Sequence, residues 1–324
     1  MSFELLSGRA IEVGFQSVGV AAAVRPATFG AFERWIDSGM FAGMSYLAKN
    51  RKARENPNSI LNGVKSIIML GVSFERVLSE SPRAINKVKG IADYARGVDY
   101  HFWIRSKFEP ILSLHRELYP TERCRGVVDT APLLERQYAI NAGLGQIGKN
   151  TMLITQQYGS NVFLAAILST VNLHPAKPVF EINTNKTGTA TKNNSNNFCN
   201  INCQNQNCRD QNQDNCDAAF FEDPCGDCRC CLEVCPTGAL VEPYVLDARY
   251  CINYWTIEHR GEIPEKIRQK LGGRFFGCDT CRTVCPYNSP IPQPEADIDL
   301  NQLNMEELRE LAKGTPLERR LSEI

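Results

Sequence analysis

CGDCRCCLEVCP, residues 225–236, places five cysteines in twelve positions and closes on a proline. The other thiols gather near it. Of 14 cysteines only Cys124 precedes residue 199, and the remaining thirteen fall between 199 and 285. The first residues, MSFELLSGRAIEVGF, show no charged n-region followed by a long apolar run, so a cytoplasmic protein is expected. The cytosol keeps thiols reduced, which makes metal the default for clustered cysteines and disfavours a disulfide framework. With 324 residues the chain buries a sizeable core and is expected to form two domains, so metal is not needed merely to fold. A hydrophobic fraction of 43% and a charged fraction of 22% are those of a soluble globular protein. No apolar stretch approaches the roughly 18 residues of a membrane span. Lys+Arg and Asp+Glu balance at 36 each, which excludes a global positive field and leaves only local basic patches for a nucleic acid.

The spacing selects the metal. Cys225, Cys228, Cys231 and Cys235 before Pro236 follow C-x2-C-x2-C-x3-C-P, the bacterial ferredoxin run, whose fourth cysteine serves the other cluster in two-cluster proteins. Zinc sites more often pair cysteines in separated knuckles. Downstream, GCDTCRTVCPYN adds Cys278, Cys281 and Cys285, and Cys251 stands alone between the groups. Eight thiolates make two four-ligand sets. By the ferredoxin crossover, Cys225, Cys228, Cys231 and Cys285 hold one [4Fe–4S] cluster, and Cys235, Cys251, Cys278 and Cys281 hold the other. A pair of zinc sites is the alternative. Cys230 is spare in this frame.

Outside this module the chain divides by pattern. Residues 1–179 read as an α/β (α+β) domain: an amphipathic stretch over 29–49, a buried strand SIIMLGVSF (66–74), a helical run over 102–118, and strands at 125–129 and 161–170. Residues 180–222 read as a flexible insertion, because twelve of the 34 positions 183–216 are Asn and little apolar surface is available to order them. Its Cys199, Cys203, Cys208 and Cys216 belong either to a disordered loop or to a zinc clasp. Residues 223–292 form the two-cluster, ferredoxin-like domain, and 293–324 a short helical tail. A free-standing ferredoxin needs no large partner domain, so residues 1–179 are expected to hold the electron acceptor. Nucleotide signatures are missing there: no G-x-G-x-x-G follows a strand, and no Walker lysine loop occurs. AGLGQIGKN (142–150) reads as a structural turn or a cofactor contact.

VDTAPLLERQYAINAGLGQIGKNTMLI (128–154), YARGVDYH (94–101), RYCINYWTIEHRG (249–261) and the two cysteine runs, taken together, resemble the epoxyqueuosine reductases. The resemblance covers nearly the whole chain. It implies cobalamin, as cob(II)alamin, bound base-off in the N-terminal domain beside two [4Fe–4S] clusters. It also implies two-electron removal of the epoxide oxygen of epoxyqueuosine in a tRNA anticodon loop. The partners implied are tRNA carrying epoxyqueuosine and an external electron donor such as a flavodoxin or ferredoxin, with the enzyme a monomer away from membranes. Asp129 matches the family's proton donor, and a carboxyl acting near neutrality calls for a raised pKa from an apolar wall and a covering cofactor. Taken as a residue alone, Asp129 also fits a helix N-cap or a turn carboxylate before Pro132. Arg54, Tyr100, His101, Lys149, Asn150, Leu153 and Ser160 lie in or near matching motifs as contacts to the corrin or the substrate. Asn253 and Asp279 stand beside cluster cysteines where the corrin approaches. The resemblance assigns His101 no role as a cobalt ligand. Related architecture occurs in reductive dehalogenases, so a corrinoid iron–sulfur reductase of a small molecule is the alternative, followed by a non-enzymatic electron-transfer protein. Family members often continue into a helical-repeat extension, whereas this sequence ends at LERRLSEI; if that extension helps hold the anticodon stem-loop, weaker tRNA binding is expected here, the more so with no net positive charge, because phosphate contacts dominate nucleic-acid affinity.

Overall fold

Alternation within SIIMLGVS sets the architecture. Successive side chains of a strand point to opposite faces, and here every residue from Ser66 to Ser73 is buried. Ile68, Leu70 and Val72 pack with Phe3, Leu6, Ile104 and Ile111, whereas Ile67 and Met69 pack with Tyr138, Ala139 and Ala142. The strand is therefore covered by helices on both faces. The structure is a computed structural model and describes residues 2–80, 88–174, 177–181, 223–291 and 303–323. The expectations for 182–222, including Cys199, Cys203, Cys208 and Cys216, lie outside the described residues.

In chain order the first half runs α1 (Ser2–Glu12), β1 (Ser17–Ala22), α2 (Phe29–Asp37), α3 (Ser45–Lys49), α4 (Arg51–Glu55), β2 (Ser66–Ser73) and α5 (Phe74–Ser79). It continues with α6 (Tyr100–Leu118), β3 (Cys124–Val127), α7 (Glu135–Asn141), β4 (Gln146–Ile147), β5 (Leu153–Ile154), β6 (Val162–Ser169) and β7 (Val179–Phe180). Five strands form one sheet in the order β3-β6-β2-β1-β7, and every neighbouring pair is antiparallel. The domain is thus α+β, without the parallel crossovers of a doubly wound fold. The sheet also runs past position 179: β7 includes Phe180, and the Glu181 N–H donates to the Gln16 carbonyl at 2.9 Å.

Two local features escape the sequence pattern. β1 carries Gly19 because α7 ends against it; a Cβ there would lie 2.1 Å from the Ala142 carbonyl oxygen. The amphipathic stretch 29–49 breaks into α2 and α3, since Gly39 turns left-handed at φ 69° just past the α2 C-cap.

The cysteine module consists of short helices at Cys230–Glu233 and Thr280–Thr283 and a small hairpin of Leu240–Glu242 with Val245–Leu246. Beyond it, Asn304 caps Met305–Ala312 reciprocally with Glu307, and a second short helix covers Pro316–Leu321. Leu308, Ala312, Leu317 and Leu321 bury against Ile91, Ala95 and Phe276. The tail thereby closes a third core over the segment that leads into α6, and the Asp99 N–H donates to the Gly314 carbonyl at 2.6 Å. Among the described residues no helix is long and apolar enough to cross a membrane.

Candidate active site and cluster sites

β3 ends at Val127, and two residues later Asp129 takes φ 48°, a left-handed conformation uncommon outside glycine and found preferentially at functional sites. Its carboxylate is 58% exposed, and Oδ2 accepts from the Tyr100 hydroxyl at 3.0 Å and lies 3.1 Å from His101 Nε2. α6 supplies both partners from its first turn. Asp99 caps that helix by accepting the His101 N–H at 2.9 Å, and the same oxygen is 2.7 Å from His101 Nδ1. Tyr100 is held flat by stacking on Phe163, at 4.3 Å and 9°, and on His101 at 4.0 Å. Below the carboxylate, the Asp129 N–H donates to Glu135 Oε1 at 3.0 Å.

Electrostatics in this cluster set the charge of each member. Burial opposes charge on His101, but its hydrogen bonds to Asp129 and Asp99 prevail and raise its pKa to about 9. Asp129 is held below the usual carboxylate range: the His101 hydrogen bond outweighs desolvation, and the His101 charge and the Tyr100 hydroxyl add to it. Two donors thus stabilise the Asp129 anion, and the rise expected of a covering cofactor would have to work against them. Glu135 is the raised carboxyl instead, pushed up to about 8 by burial and then by the Asp129 charge. Tyr46 is pushed up to about 12 by burial, with Glu258 and Asp129 contributing. Arg54 lies over the Phe32 ring at 5.9 Å; burial works against its charge, while Tyr46, Glu135 and Asp129 favour it.

The thiols fall into two groups. Cys225, Cys228, Cys231 and Cys285 line one cavity, with Cys230 exposed at its rim. Cys285 is pushed up to about 11 by burial and then by Cys225, Cys231 and Cys228. Cys281 is pushed up to about 12 by burial and then by Cys251, Cys278 and Cys235, with Cys231 last. Repulsion of this kind identifies near neighbours. Cys251 likewise meets Cys278 and Cys235. The Cys281–Cys231 interaction makes the two groups adjacent. Among the described residues no three His, Cys, Asp or Glu side chains close on a point suited to a single metal ion.

Residues 224–288 match the 4Fe-4S double cluster binding domain, and residues 54–130 match the family described as Epoxyqueuosine reductase QueG, DUF1730. Epoxyqueuosine reductase of Cellulophaga algicola is 30% identical over 314 residues, which cover 94% of this chain and 88% of that protein. This chain belongs to the epoxyqueuosine reductase family. The Escherichia coli epoxyqueuosine reductase is also 30% identical, over 86% of this chain, but the chain spans only 63% of that relative's length. Among solved structures, an epoxyqueuosine reductase crystallised with a tRNA-Tyr epoxyqueuosine-modified tRNA stem loop aligns with a TM-score of 0.70 and 26% identity, covering 99% of this chain and 80% of that one. The cysteine module is therefore a 4Fe–4S double-cluster domain.

Several residues that the family motifs mark stand away from Asp129, at the seam between sheet domain and cluster domain. The Lys149 ammonium donates to the Gly226 carbonyl, Asn150 Nδ2 donates to the Cys281 carbonyl at 3.2 Å, and the Ser160 N–H donates to Asn288 Oδ1 at 2.6 Å. Leu153 is a core residue of β5, packed with Leu133 and Leu144. Asp279 accepts from the Asp93 N–H at 2.7 Å and pairs with Arg282 Nε at 3.0 Å. Arg282, which no motif flagged, is the central bolt. Its side chain is 4% exposed and also reaches Asp93 and Asn161, while Asp93 pairs with Arg96 at 2.5 Å. Nothing in RTVCP distinguishes a buried arginine from a surface one. Arg282→Met leaves Asp93 and Asp279 short of a counter-charge, so it is expected to lower stability by about 3–5 kcal/mol. Chemical denaturation of the anaerobic holoprotein checks this; a change under about 1 kcal/mol would mean that the bolt carries no net stability.

Proposed function

We propose that the chain reduces epoxyqueuosine to queuosine in the tRNA anticodon loop, working in the cytoplasm with an external donor such as a flavodoxin or ferredoxin. Two electrons and two protons convert the epoxide to an alkene and water. The observation that carries this reading is the Asp129 carboxylate, gripped by Tyr100 and His101 beside a double-cluster domain. A family member solved with a modified tRNA stem loop supports the substrate class.

Cobalamin fits the residues present. Arg54 Nη1 and Asn253 Oδ1 are buried without a hydrogen-bond partner among the described residues, one donor and one acceptor. The rim of a corrin carries amide side chains able to satisfy both. Bound there, cobalamin would supply a low-valent metal as the two-electron reductant. The chain's own part is proton supply. His101, charged at neutral pH, donates its Nε2 proton toward the Asp129 anion, so the proton delivered to the substrate comes from His101 by way of the carboxylate, and Asp99 holds the ring in register. Cys225, Cys228, Cys231 and Cys285 would hold the cluster nearer the surface, since Cys230 at its rim is exposed. Cys235, Cys251, Cys278 and Cys281 would hold the one toward Asp129: Asp279, beside Cys278, and Asp129 both act on Tyr94.

The test is single-turnover conversion of epoxyqueuosine-containing tRNA under chemical reduction, with iron and cobalt measured on the same sample. Fully loaded protein that forms no queuosine would remove this function. The pH profile is a second expectation. Because the folded pKa of His101 is raised from 6.5 to about 9, the proton-loaded pair and the stability it contributes are complete below pH 6.5. Both are lost as pH rises through about 9, so the rate should fall above that value. In His101→Gln that limb should vanish from a reduced rate; an unchanged limb would assign the titration to another group.

A further inference from the structure

Lys149 occupies an unusual position for a cation. It lies in the turn between β4 and β5, is only 8% exposed, and its ammonium rests on the Gly226 carbonyl inside the Cys225–Cys228 loop. Its own N–H donates to Cys225 Sγ at 3.3 Å. Two contacts fix it there. The turn is closed by Gly148 N–H to the Met152 carbonyl at 2.8 Å, and the next residue, Asn150, is tied to the Cys281 carbonyl at 3.2 Å. No carboxylate pairs with Lys149 among the described residues. The opposing charge on this side is Asp223, which is exposed, accepts the Cys225 N–H at 2.9 Å and the Tyr244 hydroxyl at 2.9 Å, and is screened by solvent. Arg274, half-buried, donates to the Thr280 hydroxyl, which lies 3.3 Å from Cys278 Sγ, but among the described residues the second thiol group has no cation as deeply buried as Lys149 and free of a carboxylate. Its nearby Arg282 is neutralised by Asp279 and Asp93.

We infer that Lys149 tunes the reduction potential of the cluster on Cys225, Cys228, Cys231 and Cys285, raising it so that an incoming electron rests there first. Net charge and hydrogen bonds to the sulfurs set cluster potentials. Reduction adds negative charge, so a fixed buried cation favours the reduced form, and the Lys149 N–H on sulfur acts in the same sense. Lys149 is a positioning residue in this role: it touches neither substrate nor the reacting atoms. The inference rests on the double-cluster domain and the ligand grouping above, and it is independent of whether epoxyqueuosine is the substrate.

The experiment is a potentiometric titration followed by electron paramagnetic resonance on reconstituted full-length wild type, Lys149→Met and Lys149→Arg, with iron counted in each. In Lys149→Met one midpoint should fall by on the order of 59 mV or more, a tenfold change in a one-electron equilibrium. The other midpoint should stay in place, and iron should remain at about eight per chain. Lys149→Arg keeps the charge and should recover most of the shift. The inference is overturned if neither midpoint moves, if both move equally, or if Lys149→Arg matches Lys149→Met. Loss of about four irons in Lys149→Met would also overturn it, making Lys149 a structural clamp. Wild type holding fewer than about eight irons would instead overturn the ligand grouping on which the inference stands.

Discussion

Asp129→Asn should slow single-turnover reduction about 10²–10⁴-fold, the usual contribution of a positioned proton-transfer group. The substitution keeps the shape and can still accept from Tyr100, but it can neither carry a proton nor hold a charged His101. Iron and cobalt content should match wild type, and modified tRNA should still bind. A second readout separates chemistry from scaffold. Without the Asp129 anion the imidazolium loses its main support, so the alkaline limb near pH 9 should move to lower pH. Near-normal turnover would take Asp129 out of the reaction, and loss of cobalt together with activity would make it a structural residue.

Cys251→Ala should remove one cluster and leave the other. Cys251 stands alone in sequence yet meets Cys278 and Cys235 in space, where it completes a set of four with Cys281. Iron should drop from about eight to about four per chain and turnover should be lost, since one relay is missing. Cys230→Ala should change neither, because that thiol is exposed at the cavity rim beside Cys228. Iron lost from Cys230→Ala but kept in Cys251→Ala would reverse the assignment.

The parts legible in the sequence are those whose chemistry is local. β2 and β6 announce themselves because each is buried along nearly its whole length. The ferredoxin run is legible because three thiols facing one cluster and a fourth facing its neighbour impose a fixed spacing. β1 is silent because Gly19 and its small neighbours answer to the end of α7, a partner more than a hundred residues away. The family string around AGLGQIGKN marks Lys149, Asn150 and Ser160 as important without saying for what, and their contacts prove to be with the cluster domain. The charge on Asp129 is a similar case. An apolar wall can be guessed from VVDTAP, whereas the donors that decide the charge come from α6. Glu135 and Arg282 carry no sequence signal, since burial of a charge is a property of the folded surroundings.

The seam through Lys149, Asn150 and Arg282 bears on modularity. Residues 223–291 look like an autonomous electron carrier, a cassette that could be excised or grafted. Yet the sheet domain supplies part of the wall around each group of thiols, and the carboxylate Asp93 that balances Arg282 comes from outside the cassette. Cut free, the cassette would expose sulfur to solvent and dioxygen on one side and leave a buried guanidinium short of a counter-ion on the other. The iron–sulfur half is thus better regarded as an organ of this protein than as a portable part. Grafting it onto another protein would require carrying over the 148–151 turn and Asp93 as well.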